Sequence, residues 1–276
     1  GSGSSGSSSC CNPDLFVTPA FAKTRALSAA AAKLVQFPLI QIVRLVLAIN
    51  DENIPNTFVL QATREIANRA ADPNNDEDFY DAGAISALVD LLIEDEDHLR
   101  VEALNALINI SVTEQGTADI INAGIMMLIV ALIGNPTSPI IQVKAAWLLI
   151  NLSYAPEVRE VVRQEEGVKA LMTMVQSSDI RVQRMALKAI NNILTDCEPF
   201  DNQEAFIEAN GFIVFLKMLL TVDKSEEVMI QYLLNILSFL IQCESGMELM
   251  SLRGVKILVR ELQVFADNTE ITSMVI

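Results

Sequence analysis

The sequence predicts an all-α fold: a right-handed superhelix, or α-solenoid, of about five stacked helical repeats with terminal caps. Three observations predict it. Five glycines, Gly83, Gly124, Gly167, Gly211 and Gly254, each open an apolar segment and are separated by 41, 43, 44 and 43 residues. A further segment with helical apolar spacing follows the first four of them: "VEALNALINIS", "VKAAWLLINLS", "VQRMALKAINNIL" and "MIQYLLNILSFLI". Alternating Val/Thr/Tyr runs between hairpin dipeptides, the mark of strands, are absent.

Taken in order, residues 1–11 ("GSGSSGSSSCC") form a leader that cannot fold, and residues 12–276 form the repeat domain. Residues 12–37, Ala-rich, are expected to make an N-terminal helical cap. The segment "VLQATREIANRA" stands where the third helix of a first repeat belongs. Each later period then holds a short polar helix, a glycine turn and a second, apolar helix. An acidic or Pro-containing loop ("IEDEDHL", "NPTSPI", "QSSDI", "TVDKSEE") leads to the third helix. The glycine suits a place where the chain turns sharply and a Cβ would clash. A truncated sixth repeat begins at Gly254. Such a triplet cannot bury its apolar faces alone, so neighbours must stack, and the third helices then line a concave groove.

The totals exclude several functions. Apolar residues make up 51% of 276, enough for a large core. Thirty-five acids against nineteen bases give a net charge of −16, the wrong sign for neutralising nucleic-acid phosphates or for resting on an anionic membrane through a basic patch. The longest strongly apolar run, residues 124–133, is about half of what a spanning helix needs. No secretory signal opens the chain. Four cysteines at 10, 11, 197 and 243 fit reducing, cytosolic surroundings, and Cys197 and Cys243 read as buried structural thiols.

Aligning the third segments places Asn68, Asn109, Asn151 and Asn192 in register at intervals of 41, 42 and 41, with Ser238 at the fifth place. The pattern resembles the armadillo repeat family over roughly residues 38 to 276. In that family the third-helix asparagines line the groove and hold the backbone of an extended partner peptide, which implies that role for these four. A carboxamide carries both a donor and an acceptor, as pairing with a peptide group requires. The other reading is that an asparagine caps or bridges adjacent repeats.

One helical turn earlier, on the same face, stand Arg64, Asn105, Trp147, Lys188 and Leu234. Trp147 with Asn151 resembles the Trp-x-x-x-Asn pairing of nuclear-import armadillo receptors, which repeat it to sandwich lysine stems. This chain has one tryptophan, and Arg64 and Lys188 put positive charge where a basic signal would lie. Import-receptor function is therefore not expected, and a mixed or partly acidic ligand is. Trp147 reads as an anchor for a partner side chain, with a core role as the alternative.

The sequence offers no catalytic constellation. Its one histidine, His98, lies beside "EDED" and reads as solvated. No phosphate-binding glycine motif appears. The expectation is no enzyme, no metal and no cofactor.

The leader supplies the remaining expectation. Cys10 and Cys11 offer two sites for thioester-linked acyl chains, and two chains hold a protein stably on a membrane. Gly1-Ser2-Gly3-Ser4-Ser5 fits the Gly-x-x-x-Ser form of an N-myristoylation site once an initiator Met is removed, while the Gly/Ser composition of residues 1–9 equally fits an expression-tag remnant. An armadillo array with little else behind a Cys-Cys pair is similar to the armadillo repeats-only family of apicomplexan parasites. There a myristoylated glycine and palmitoylated cysteines attach the protein to the cytosolic face of the rhoptry secretory organelles. It recruits an unconventional myosin, an adenylate cyclase and a dedicated interacting protein. The resemblance implies a membrane-anchored scaffold that positions a secretory organelle, with lipidation at Cys10 and Cys11. The alternative is a soluble peptide-binding adaptor or transport receptor without membrane attachment.

Overall fold

The computed structural model describes residues 38–72, 76–135, 138–164, 166–195 and 201–251. The leader with Cys10 and Cys11, the expected cap over residues 12–37, Cys197 and the sixth repeat from Gly254 lie outside the described residues.

The described residues are helical, with no strand among them. A first pair, α1 (Pro38–Ile49) and α2 (Asn56–Arg69), precedes four triplets. These are α3 (Asp76–Asp81), α4 (Ala84–Leu91) and α5 (Asp97–Ile110), followed by α6 (Glu114–Asn122), α7 (Met126–Gly134) and α8 (Pro139–Leu152). The third triplet is α9 (Pro156–Gln164), α10 (Gly167–Val175) and α11 (Ile180–Leu194). The fourth is α12 (Asp201–Glu208), α13 (Gly211–Thr221) and α14 (Glu227–Leu240), and α15 (Glu244–Leu249) starts the next turn.

Helix starts are written locally. Thr113 caps α6 by accepting from the Gly116 amide at 3.1 Å, and Asp179 caps α11 by accepting from the Arg181 amide at 2.9 Å, each satisfying a donor that the helix leaves open. Pro139 begins α8, where its missing N–H costs nothing. First and second helices then meet at a steep angle, 86° between α6 and α7.

The turn between them imposes two different demands. Gly83 and Gly124 have φ of +70° and +76°, the left-handed region, with open space where a Cβ would stand. In the next two repeats the left-handed residue is not the aligned glycine but the one before it, Glu166 at φ 62° and Asn210 at φ 59°. Gly167 and Gly211 answer the other demand, since a Cβ would come within 2.6 Å of the carbonyls of Val162 and Phe206. The predicted turn and the predicted clash are both present, in different repeats.

Stacking follows from the apolar faces. The third helices pack in series, α2 on α5, α5 on α8, α8 on α11 and α11 on α14, and α10 lies against α7 in the second row. Leu104, Leu107, Ala146, Leu149, Leu187, Ile190, Leu234 and Leu237 are buried between them. Each recurs at the same register on its helix, so a single core runs the length of the array. Gln142 is also buried, and it stays satisfied by donating from Nε2 to the Ile133 carbonyl at 2.8 Å at the end of α7.

The fifth third-helix departs by one residue from the sequence alignment. The buried face of α14 (Met229, Leu233, Leu234, Ile236, Leu237, Leu240) superposes on that of α11 (Val182, Ala186, Leu187, Ala189, Ile190, Ile193) at an offset of 47. Leu234 is therefore core, and Asn235 and Phe239, not Leu234 and Ser238, occupy the groove positions. Ser238 instead hydrogen-bonds to the Asn235 carbonyl at 2.7 Å within its own helix.

Candidate peptide-binding groove

On the first four third-helices the aligned asparagines occupy equivalent positions on the partly open face. Asn68 is exposed, while Asn109, Asn151 and Asn192 are half-buried. Two of them reach back one repeat. Asn109 Nδ2 donates to the Ala67 carbonyl at 2.9 Å, and Asn151 Nδ2 donates to Ser111 Oγ at 2.9 Å and to the Ile108 carbonyl at 3.4 Å. Ser111 in turn donates to Ile108 O at 2.8 Å. The bridging and the peptide-holding readings are thus compatible: each amide nitrogen is spent on the neighbouring repeat, and each carbonyl oxygen has no hydrogen-bond donor among the described residues. Neither Asn68 nor Asn192 has such a bridge there.

A cavity of about 430 Å³ opens between α2, α5 and α8. It brings together five of the predicted residues, Arg64, Asn68, Asn105, Asn109 and Trp147, and adds Glu102 and Lys144. Asn151, Asn192 and Lys188 lie further along the same row of helices, outside this cavity. Trp147 is 44% exposed, far more than a core indole would be. Lys144 Nζ stands 5.3 Å from the centroid of its ring, a cation–π distance.

The charge of the cavity differs from the sequence expectation. Arg64 is not a free cation: its Nε lies 2.7 Å from Glu102 Oε1, and Asn105 Nδ2 donates to Glu102 Oε2 at 3.1 Å. The Glu102 carboxylate is thereby clamped between two neighbours. The cation left over is Lys144, which sequence reasoning missed. It stands three residues before Trp147 and so shares its helix face, a relation that a scan of the i−4 position alone passes over. Lys188, one repeat on, has no ion pair among the described residues.

Elsewhere, His98 is exposed on the first turn of α5. Cys243 is a free buried thiol donating to Leu240 O at 3.2 Å, and burial pushes its pKa up, away from reactivity. No cluster of three potential metal ligands occurs among the described residues, and none of their helices is alone long and apolar enough to cross a membrane.

This geometry is that of an armadillo-repeat solenoid. Residues 155–195, which include α9, α10 and α11, match the Armadillo/beta-catenin-like repeat. The chain is similar to a designed armadillo repeat protein at 19% identity and a TM-score of 0.73, over 85% of this chain and 96% of that one. It is similar to a second designed armadillo repeat protein, solved in complex with the peptide (KR)4, at 22% identity and a TM-score of 0.74 over the same shares. An engineered protein matches at 24% identity and a TM-score of 0.73, over 85% of this chain and 93% of that one. No curated protein sequence matches.

Proposed function

We propose that the chain is a non-enzymatic scaffold whose concave groove binds an extended segment of a partner protein, and that acyl chains on Cys10 and Cys11 hold it on the cytosolic face of an organelle membrane. The observation that carries the first half is the asparagine row. At Asn109 and Asn151 the carboxamide is oriented by the preceding repeat, with an acceptor oxygen left over for a peptide N–H. The exposed indole of Trp147 beside it supplies an anchor of the kind that dominates interfaces. That a designed protein of this fold is solved with the peptide (KR)4 supports a peptide ligand.

The second half rests on the adjacent cysteines of the leader and on the resemblance to the armadillo repeats-only family. By that resemblance the membrane is the rhoptry's, the partners are a myosin, an adenylate cyclase or a dedicated interacting protein, and the task is positioning a secretory organelle. Myristoylation near the N-terminus would add a further chain. The test is the distribution of the protein between membrane and cytosolic fractions in its own cell. Cys10→Ala with Cys11→Ala should move it to the cytosol. Membrane attachment unchanged in that double variant would remove the anchoring mechanism and leave a soluble adaptor.

A further inference from the structure

The groove is expected to hold a peptide; the charges around Trp147 bear on which peptide. In a groove that sandwiches a lysine stem, the indole face is open and carboxylates lie near enough to receive the ammonium. Here the ring already has a cation over it, Lys144 Nζ at 5.3 Å, contributed by the chain itself. The one carboxylate lining the cavity, Glu102, is taken up by Arg64 and Asn105. Counting Arg64, Glu102 and Lys144, the cavity carries a net charge of about +1 in a chain whose total is −16. The next groove position, Lys188, is again a cation without a carboxylate partner among the described residues.

We infer that Lys144 sets the specificity of the groove: it bars a lysine from Trp147 and selects a partner segment that is extended and acidic. The inference rests on the groove binding a peptide at all. A carboxylate entering the cavity meets Lys144 and the exposed carboxamide of Asn68. A second carboxylate further along meets Lys188. A lysine would meet an occupied ring face, a neutralised Glu102 and like charge, which is a repulsive element as much as a missing attraction. The acidic total does not contradict this, because charges beyond about 8 Å are screened at physiological salt while those lining the cavity are not.

Trp147 is the one tryptophan of the chain, so its emission reports this cavity and nothing else. The experiment is a titration of the full chain at physiological salt with two octapeptides, one of alternating Glu and Asp and one of alternating Lys and Arg. It is repeated with Lys144→Gln and Lys188→Gln. The expected result is a saturable change in Trp147 emission with the acidic peptide only, weakened about tenfold by either substitution. Lys144→Gln should also improve the response to the basic peptide. An unchanged thermal midpoint in both variants separates recognition from folding.

Saturable binding of the basic peptide to the unaltered chain, tighter than the acidic one, would overturn the specificity while leaving the groove a peptide site. No emission change with either peptide would overturn both readings. Emission that shifts with the protein's own concentration, without peptide, would assign the cavity to a second copy and likewise overturn the inference.

Discussion

Asn151 on α8 reaches across one whole repeat and donates to Ser111 Oγ at 2.9 Å, so the residue proposed to hold a partner peptide is also part of what joins two repeats. Asn192, at the equivalent place on α11, has no such bridge among the described residues. The two should therefore respond differently to truncation. Asn151→Ala should lower stability by about 1 kcal/mol, the worth of a typical hydrogen bond, and Asn192→Ala by close to nothing. Both should weaken peptide binding. Chemical denaturation and peptide titration on the same pair of variants check this, and equal stability losses would place Asn192 in the framework as well.

The glycines separate by mechanism. A Cβ on Gly116 would sit 2.0 Å from the Ile110 carbonyl, where α5 hands over to α6, and backbone cannot easily yield. Gly83 has open space and only its φ of +70° to lose. Gly116→Ala should cost about 3 kcal/mol or more and Gly83→Ala about 1, measured as unfolding midpoints in urea.

Glu166 occupies with an L side chain a conformation that Gly83 and Gly124 adopt freely. Its ion pair with Lys169, at 2.8 Å on an exposed surface, contributes little. Glu166→Gly should therefore leave stability unchanged or raise it by about 0.5–1 kcal/mol, whereas a glycine elsewhere in a helix lowers it. A thermal melt decides the sign.

Asp179 carries a pH dependence. The Arg181 guanidinium and the backbone amides that its cap receives hold its carboxyl down to about 2, from an ordinary 3.8. In that window the folded state binds fewer protons than the unfolded one, so the stabilisation is complete above pH 3.8 and is lost as pH falls through about 2. Asp179→Asn keeps a capping side chain but removes the charge. Its melting temperature should fall less steeply between pH 4 and 2 than that of the unaltered chain.

Much of the architecture was legible because a repeat writes its signal several times. Four asparagines in register, and the apolar face around each, left one arrangement that buries every face. What stayed hidden was set by single repeats. The offset of 47 that brings Asn235 to the groove and sends Leu234 to the core comes from extra residues spread over the α11–α12 connection, α13 and the loop before α14, a spread that no periodicity announces. The left-handed residue moves from Gly83 and Gly124 to Glu166 and Asn210 in the repeats where the aligned glycine instead meets a close carbonyl, and glycine spacing alone does not tell the two demands apart. The charge of the cavity was misread at Arg64, since its partner Glu102 lies 38 residues away and is adjacent only once α2 and α5 stack.

The most direct test of the groove is retention of the full chain on an array of random-sequence octapeptides, repeated with Trp147→Ala. An exposed indole truncated to Ala should leave helicity and melting temperature as they were. The account predicts a subset of peptides bound by the unaltered chain and lost by the variant. Peptides retained equally by both, or none retained by either, would contradict it.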